Sequence, residues 1–148
     1  MKLIYPVIFT ETRKNILFEV PDLGIVSEAN GENKKKADMA TAIGMARDAI
    51  GLYLMTLEEK GEAFPPSCRI SDIDISEGCF ADAGESILSL VDIDPVAYKS
   101  IYDNKTVRCN VTIKRWMKRA ADAMDLNLSG VLQDALLEQL QHTEYGKG

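Results

Sequence analysis

Apolar residues crowd the start of the chain in three short runs separated by polar turns. Residues 3–9 (Leu-Ile-Tyr-Pro-Val-Ile-Phe) are rich in β-formers and predict a strand, with Pro6 at a bulge or beside an edge. Residues 11–15 are polar and turn-like. Ile16–Val20 predicts a second strand. The run Pro21-Asp22-Leu23-Gly24 is a turn signal, and Ile25–Ala29 predicts a short third strand. Together they predict a three-stranded meander.

The period then changes. Between residues 36 and 60, Met39, Ile43, Ala46, Ile50, Tyr53, Leu54 and Leu57 fall on one helical face. That face must be buried, and the meander is the partner at hand. Gly61 is placed to end the helix, and Pro65-Pro66 prevents its resumption. Residues 67–85 show no clear period. Residues 87–91 (Ile-Leu-Ser-Leu-Val) predict another strand, and residues 95–104 read as a connector in which Val96, Tyr98, Ile101 and Tyr102 are available for packing. The front half is thus a βββαβ domain, with a boundary near residue 103.

From residue 106 the pattern alternates strictly. Val107, Cys109, Val111 and Ile113 point one way, and Arg108, Asn110 and Thr112 the other, which predicts a strand. A helix carrying Met117, Ala120, Ala121 and Met124 on one face follows. Asp125-Leu126-Asn127 breaks it, and Asn127 is a good N-cap for a second helix over about residues 128–141. Leu128, Val131, Leu132, Ala135, Leu136 and Leu140 form the stripe of that helix.

Charge divides the chain at the same place. Residues 1–103 carry 10 basic and 18 acidic side chains, whereas residues 104–148 carry 7 basic and 5 acidic. Lys105, Arg108, Lys114, Arg115, Lys118 and Arg119 come with no acid among them. An acidic front and a locally basic back suggest two jobs. Cys68, Cys79 and Cys109 are too few and too widely spaced for a disulfide framework or a zinc site, and they read as reduced structural thiols. The single histidine, His142, sharply limits imidazole catalysis and transition-metal binding. No apolar run reaches the ~20 residues of a membrane span. The first residues do not resemble a secretory signal, so a cytoplasmic protein is expected.

One strand and two helices cannot bury a core alone, and a lone strand leaves its backbone groups unpaired. Both difficulties vanish if two chains pair their strands antiparallel and interlock their helices. A homodimer through the back half is therefore expected, with higher oligomers left open. The two-stranded ribbon has a size that the DNA major groove admits. On its polar face Arg108 suits guanine, Asn110 suits adenine, and Thr112 suits a base edge or a thymine methyl. Asn127 and Ser129 at the start of the second helix, with Lys105, Lys114 and Arg115 beside the ribbon, are candidate phosphate contacts.

These segments resemble the ribbon-helix-helix tail of HicB antitoxins in Val-Arg-Cys-Asn-Val-Thr-Ile (107–113), Lys-Arg-Trp-Met-Lys-Arg (114–119) and Asn-Leu-Ser-Gly-Val-Leu-Gln-Asp-Ala-Leu (127–136). In the front half, residues 5–9, 18–23, 46–53 and 61–66 are similar to the HicB N-terminal domain. Lys114 stands where family members often carry proline. The resemblance implies an α+β chain in which a partial RNase H-like domain (1–103) precedes a ribbon-helix-helix (βαα) domain (104–148). It implies an antitoxin with no enzymatic step, cofactor or metal. The front domain would bind and block a small basic HicA-like ribonuclease toxin, and the tail would bind operator double-stranded DNA and repress its own operon. The alternative is a ribbon-helix-helix repressor whose front domain senses a small ligand and has no toxin partner.

Other chemistries are weaker. A nuclease would need several carboxylates converging on metal ions. Asp22, Glu19 and Glu28 are the nearest candidates, and they read as solvated surface acids. Asp72-Ile-Asp74 and Asp92-Ile-Asp94 lack the glycine and distal glutamate of a calcium loop. The run Lys34-Lys35-Lys36 reads as a solvated loop, Trp116 as a packing anchor, and His142 as exposed near a frayed end.

Overall fold

Four strands form one antiparallel sheet: the first three apolar runs pair across short turns, and the fourth returns after a helix to pair with the first. A computed structural model describes residues 2–32, 35–103 and 106–142, without the side chain of His142. Strands β1 (Leu3–Glu11), β2 (Ile16–Val20), β3 (Ile25–Ala29) and β4 (Glu85–Ile93) lie in the order β3-β2-β1-β4. The meander is as expected. Pro6 sits where β1 pairs with β4 alone, since β2 pairs only with residues 8–11, so its missing N–H costs no ladder bond there. Gly24, at φ 65°, closes the tight turn into β3.

Helix α1 (Met39–Glu59) packs across one face of this sheet. Asp38 caps it by accepting the Thr41 N–H at 2.7 Å. It ends in a Schellman motif: Gly61 N–H donates to Glu58 C=O and Glu62 N–H to Leu57 C=O, with Gly61 at φ 71°. Tyr5, Val7, Phe9, Phe18, Val20 and Val91 from the sheet meet Ala42, Ala46, Ile50 and Leu54 from the helix. Each large side chain so buried contributes about 1.5–3 kcal/mol.

Residues 67–84, without a period in the sequence, hold two short 3₁₀ turns, Ile70–Asp72 and Ile75–Glu77. The expected connector is instead a helix, α2 (Pro95–Tyr102). Its start was written in the sequence: Asp94 accepts the Val96 and Ala97 N–H groups, and Pro95 occupies the first turn. Val96 and Tyr98 are buried, while Ile101 and Tyr102 are exposed. Helices α3 (Arg115–Ala123) and α4 (Leu128–His142) follow, α4 within about a residue of expectation.

Tyr98 joins α2 to α1. Its hydroxyl donates to the Asp48 carbonyl at 3.1 Å, and its ring lies so close to Gly51 that a Cβ there would come within 2.8 Å of three ring carbons. Gly51→Ala should therefore destabilise the fold by about 1–3 kcal/mol through overpacking. In a Tyr98→Ala background the same change should be neutral or favourable, because alanine is the better helix former by ~1 kcal/mol. Urea unfolding of the four variants measures both.

Candidate functional site

The back half departs most from expectation, and it does so for a simple reason. Residues 106–113 carry no regular secondary structure. A ribbon needs a second strand for its hydrogen bonds, and among the described residues this chain offers none. The two faces predicted by alternation are consequently both open. Val107 is 75% exposed and Val111 60% exposed, while Arg108, Asn110 and Thr112 are exposed as well.

The helices are better defined. The backbone at Lys114, the N-cap of α3, has φ −68°, a value that proline would also adopt. A Schellman arrangement ends α3: Leu126 N–H donates to Ala121 C=O, Asp125 N–H donates to Asp122 C=O, and Asp125 is left-handed at φ 54°. Asn127 then caps α4, its Oδ1 accepting the Gly130 N–H at 3.2 Å. Two adjacent caps thus set the angle between α3 and α4. The expected capping role of Asn127 is met, and that oxygen is engaged in it.

Lys114, Arg115, Asn127 and Ser129 are exposed, so all four are open to a ligand. Lys105 lies outside the described residues, as does Lys34. Lys118 forms an ion pair with Asp122 at 2.5 Å. Trp116, expected to anchor packing, is instead exposed. Of the α4 stripe, Leu136 and Leu140 line a groove against Val96 and Lys99 of α2, whereas Leu128 and Val131 face solvent.

The carboxylates of the front domain have separate duties. Asp22 accepts the Cys68 N–H at 2.9 Å and Glu19 accepts the Cys79 N–H at 2.9 Å. Glu28 accepts from Asn15 and Asn30. Asp22 and Glu19 therefore tie residues 68–79 back to the sheet. Among the described residues no group of three or more potential ligands is arranged to hold a metal ion. No described helix is long and apolar enough to cross a membrane. All three cysteines are free. The Cys79 thiol also donates to Glu19 at 3.3 Å, and this carboxylate raises its pKa by stabilising the protonated form.

No family model matches the chain, and no curated protein matches it. Solved structures do. A chain of a toxin–antitoxin complex from Streptococcus pneumoniae superposes with a TM-score of 0.54 and 22% identity, covering 94% of this chain and 99% of that one. The protein shares the fold of that chain. The antitoxin HicB of Burkholderia pseudomallei matches at TM-score 0.48 and 26% identity, over 93% of this chain and 98% of that one. A structure described as antitoxin HicB3 matches at TM-score 0.47 and 22% identity, over 93% and 97%.

The Glu19–Cys79 contact can be tested directly. Glu19→Gln removes the charge that holds the thiol protonated. Cys79 should then form thiolate at lower pH and react faster with iodoacetamide at pH 8. Equal rates in the two proteins, read by mass spectrometry of the Cys79 peptide, would show that the contact is not made in solution.

Proposed function

We propose that this chain is the antitoxin of a HicAB-type toxin–antitoxin system. Its front domain captures a small basic ribonuclease, and its tail dimerises, binds the operator and represses the operon. The observation that carries this reading is the apolar surface left uncovered in a single tail. Val107, Val111, Ile113, Met117, Met124, Leu128 and Val131 are all exposed in one chain. An apolar surface of this kind marks an interface.

A second copy would supply what the tail lacks. Residues 106–113 of two chains pair as a ribbon, which satisfies the open backbone groups and turns the four apolar side chains onto the helices. Arg108, Asn110 and Thr112 are then presented together from both chains. Arg108 donates in a fork to guanine, Asn110 pairs with adenine, and Thr112 touches a base edge. Lys105, Lys114, Arg115, Asn127 and Ser129 hold the flanking phosphates, and the first turn of α4 adds its free N–H groups. The acidic balance of residues 1–103 complements a basic toxin. Inhibition and repression both proceed by binding, with no chemical step.

Co-expression with the adjacent reading frame tests the antitoxin role. The neighbouring protein alone should arrest growth, and this chain should restore growth and co-purify with it. A neighbour that is harmless and does not bind would remove the reading. For the tail, Arg108→Ala should weaken operator binding by about 1–3 kcal/mol and leave growth rescue intact. Electrophoretic mobility shift at fixed salt measures the first effect, and unchanged repression in that variant would exclude Arg108 from the interface.

A further inference from the structure

The two edges of the sheet are not equally protected. β3 is short, five residues, and carries Glu28. β4 is nine residues long and pairs with β1 in unbroken register from Leu3↔Ile93 to Glu11↔Glu85, so no bulge twists its outer side away. Among the described residues no strand pairs with that outer side. Charges stand only near its ends, at Glu85 and Asp92, and residues 86–91 (Ser-Ile-Leu-Ser-Leu-Val) carry neither charge nor proline. An uncharged β-prone stretch on an open edge invites another strand unless something covers it.

One end of the edge is already blocked. Arg47 of α1 donates from Nε to the Asp92 carbonyl at 2.8 Å and from its guanidinium to the Asp92 carboxylate at 3.0 Å. The Asp92 carbonyl therefore faces outward. By the alternation of an antiparallel ladder, so do the backbone groups of Leu90, Leu88 and Ser86. Beside this edge Ile87 is 49% exposed on the α1 side of the sheet, and Leu90 is 48% exposed on the other.

Charge selects the occupant. The turn Ile75–Glu77 packs against β4, and the segment it belongs to, residues 62–85, holds six acids and one base. Pairing β4 with β4 of a second copy would bring two such acidic segments onto one sheet. A basic chain meets the opposite sign. We propose that the outer edge of β4 over residues 86–91 is the surface on which the front domain takes its partner: an extended segment of a basic protein adds as a further strand, with Ile87 and Leu90 gripping alternate side chains. This rests on the toxin-capture reading and names the surface that performs it.

The test uses the full-length chain and the protein of the adjacent reading frame as probe. Leu90→Pro removes an outward N–H without touching the ladder to β1, and Leu90→Lys places a repelling charge on the edge. Each should weaken binding about tenfold or more, the worth of one or two hydrogen bonds and an apolar contact. Val26→Lys on β3 should not. Folded Leu90 variants that bind like the wild type would overturn the proposal. Should the wild-type chain fail to bind the neighbour at all, the capture reading falls, and the edge is judged by peptides. Amide shifts at residues 86–90 with a (Lys-Val)5 peptide but not with (Glu-Val)5 would sustain it, and their absence would overturn it. Protection of those amides in the chain alone, lost together with molecular mass in Leu90→Pro, would assign the edge to a second copy and likewise overturn it.

Discussion

The close approach of α1 to the sheet is the contact on which the rest of the molecule depends. Ala42 and Ala46 present almost no side chain to the sheet, so Tyr5, Phe9 and Phe18 can fill the space between the two layers. Gly51 extends the same logic to the other side of the helix, where it admits the Tyr98 ring of α2. Because α2 is seated this way, the direction in which the chain leaves α2 is set by packing. Arg47, on the same helix, reaches the Asp92 end of β4 and leaves the middle of that edge open.

The two halves handle apolar surface in opposite ways. The front half buries its apolar side chains within one chain, and its acids are spent on local order. Asp38, Asp74 and Asp94 accept N–H groups at the starts of α1, a 3₁₀ turn and α2. Asp22 and Glu19 hold down residues 68–79. The back half leaves most of its large apolar side chains in solvent, although α3 ends in a Schellman arrangement and Asn127 caps α4. Local signals are present there with little tertiary burial.

The tail and the front half meet through α4 and α2. Leu136 and Leu140 of α4 lie against α2, and α2 lies against α1. The tail is thus joined to the front half through side chains as well as through the backbone. An apolar stripe that reads as one face along α4 is divided between a partner within the chain and a surface left open.

Much of the fold is legible in the sequence. β-rich apolar runs and turn signals locate β1 to β4, a period of 3.6 locates α1, α3 and α4, Gly61 marks the end of α1 and Asn127 the start of α4, because burial of one face and capping of free backbone groups act over a few residues. Helix α2 was missed although Asp94-Pro95 announced it, since eight residues are too few for a period to stand out. The alternating polar positions Arg108, Asn110 and Thr112 were readable, yet the strand they imply is absent from the single chain. A strand is a relation between two backbones, and no pattern within one of them can supply the other. Only the tertiary structure decided that Glu19 and Asp22 hold the loop of residues 68–79, that Tyr98 seats against Gly51, and that β4 forms an edge of the sheet longer than β3, because each depends on residues brought together from distant parts of the chain.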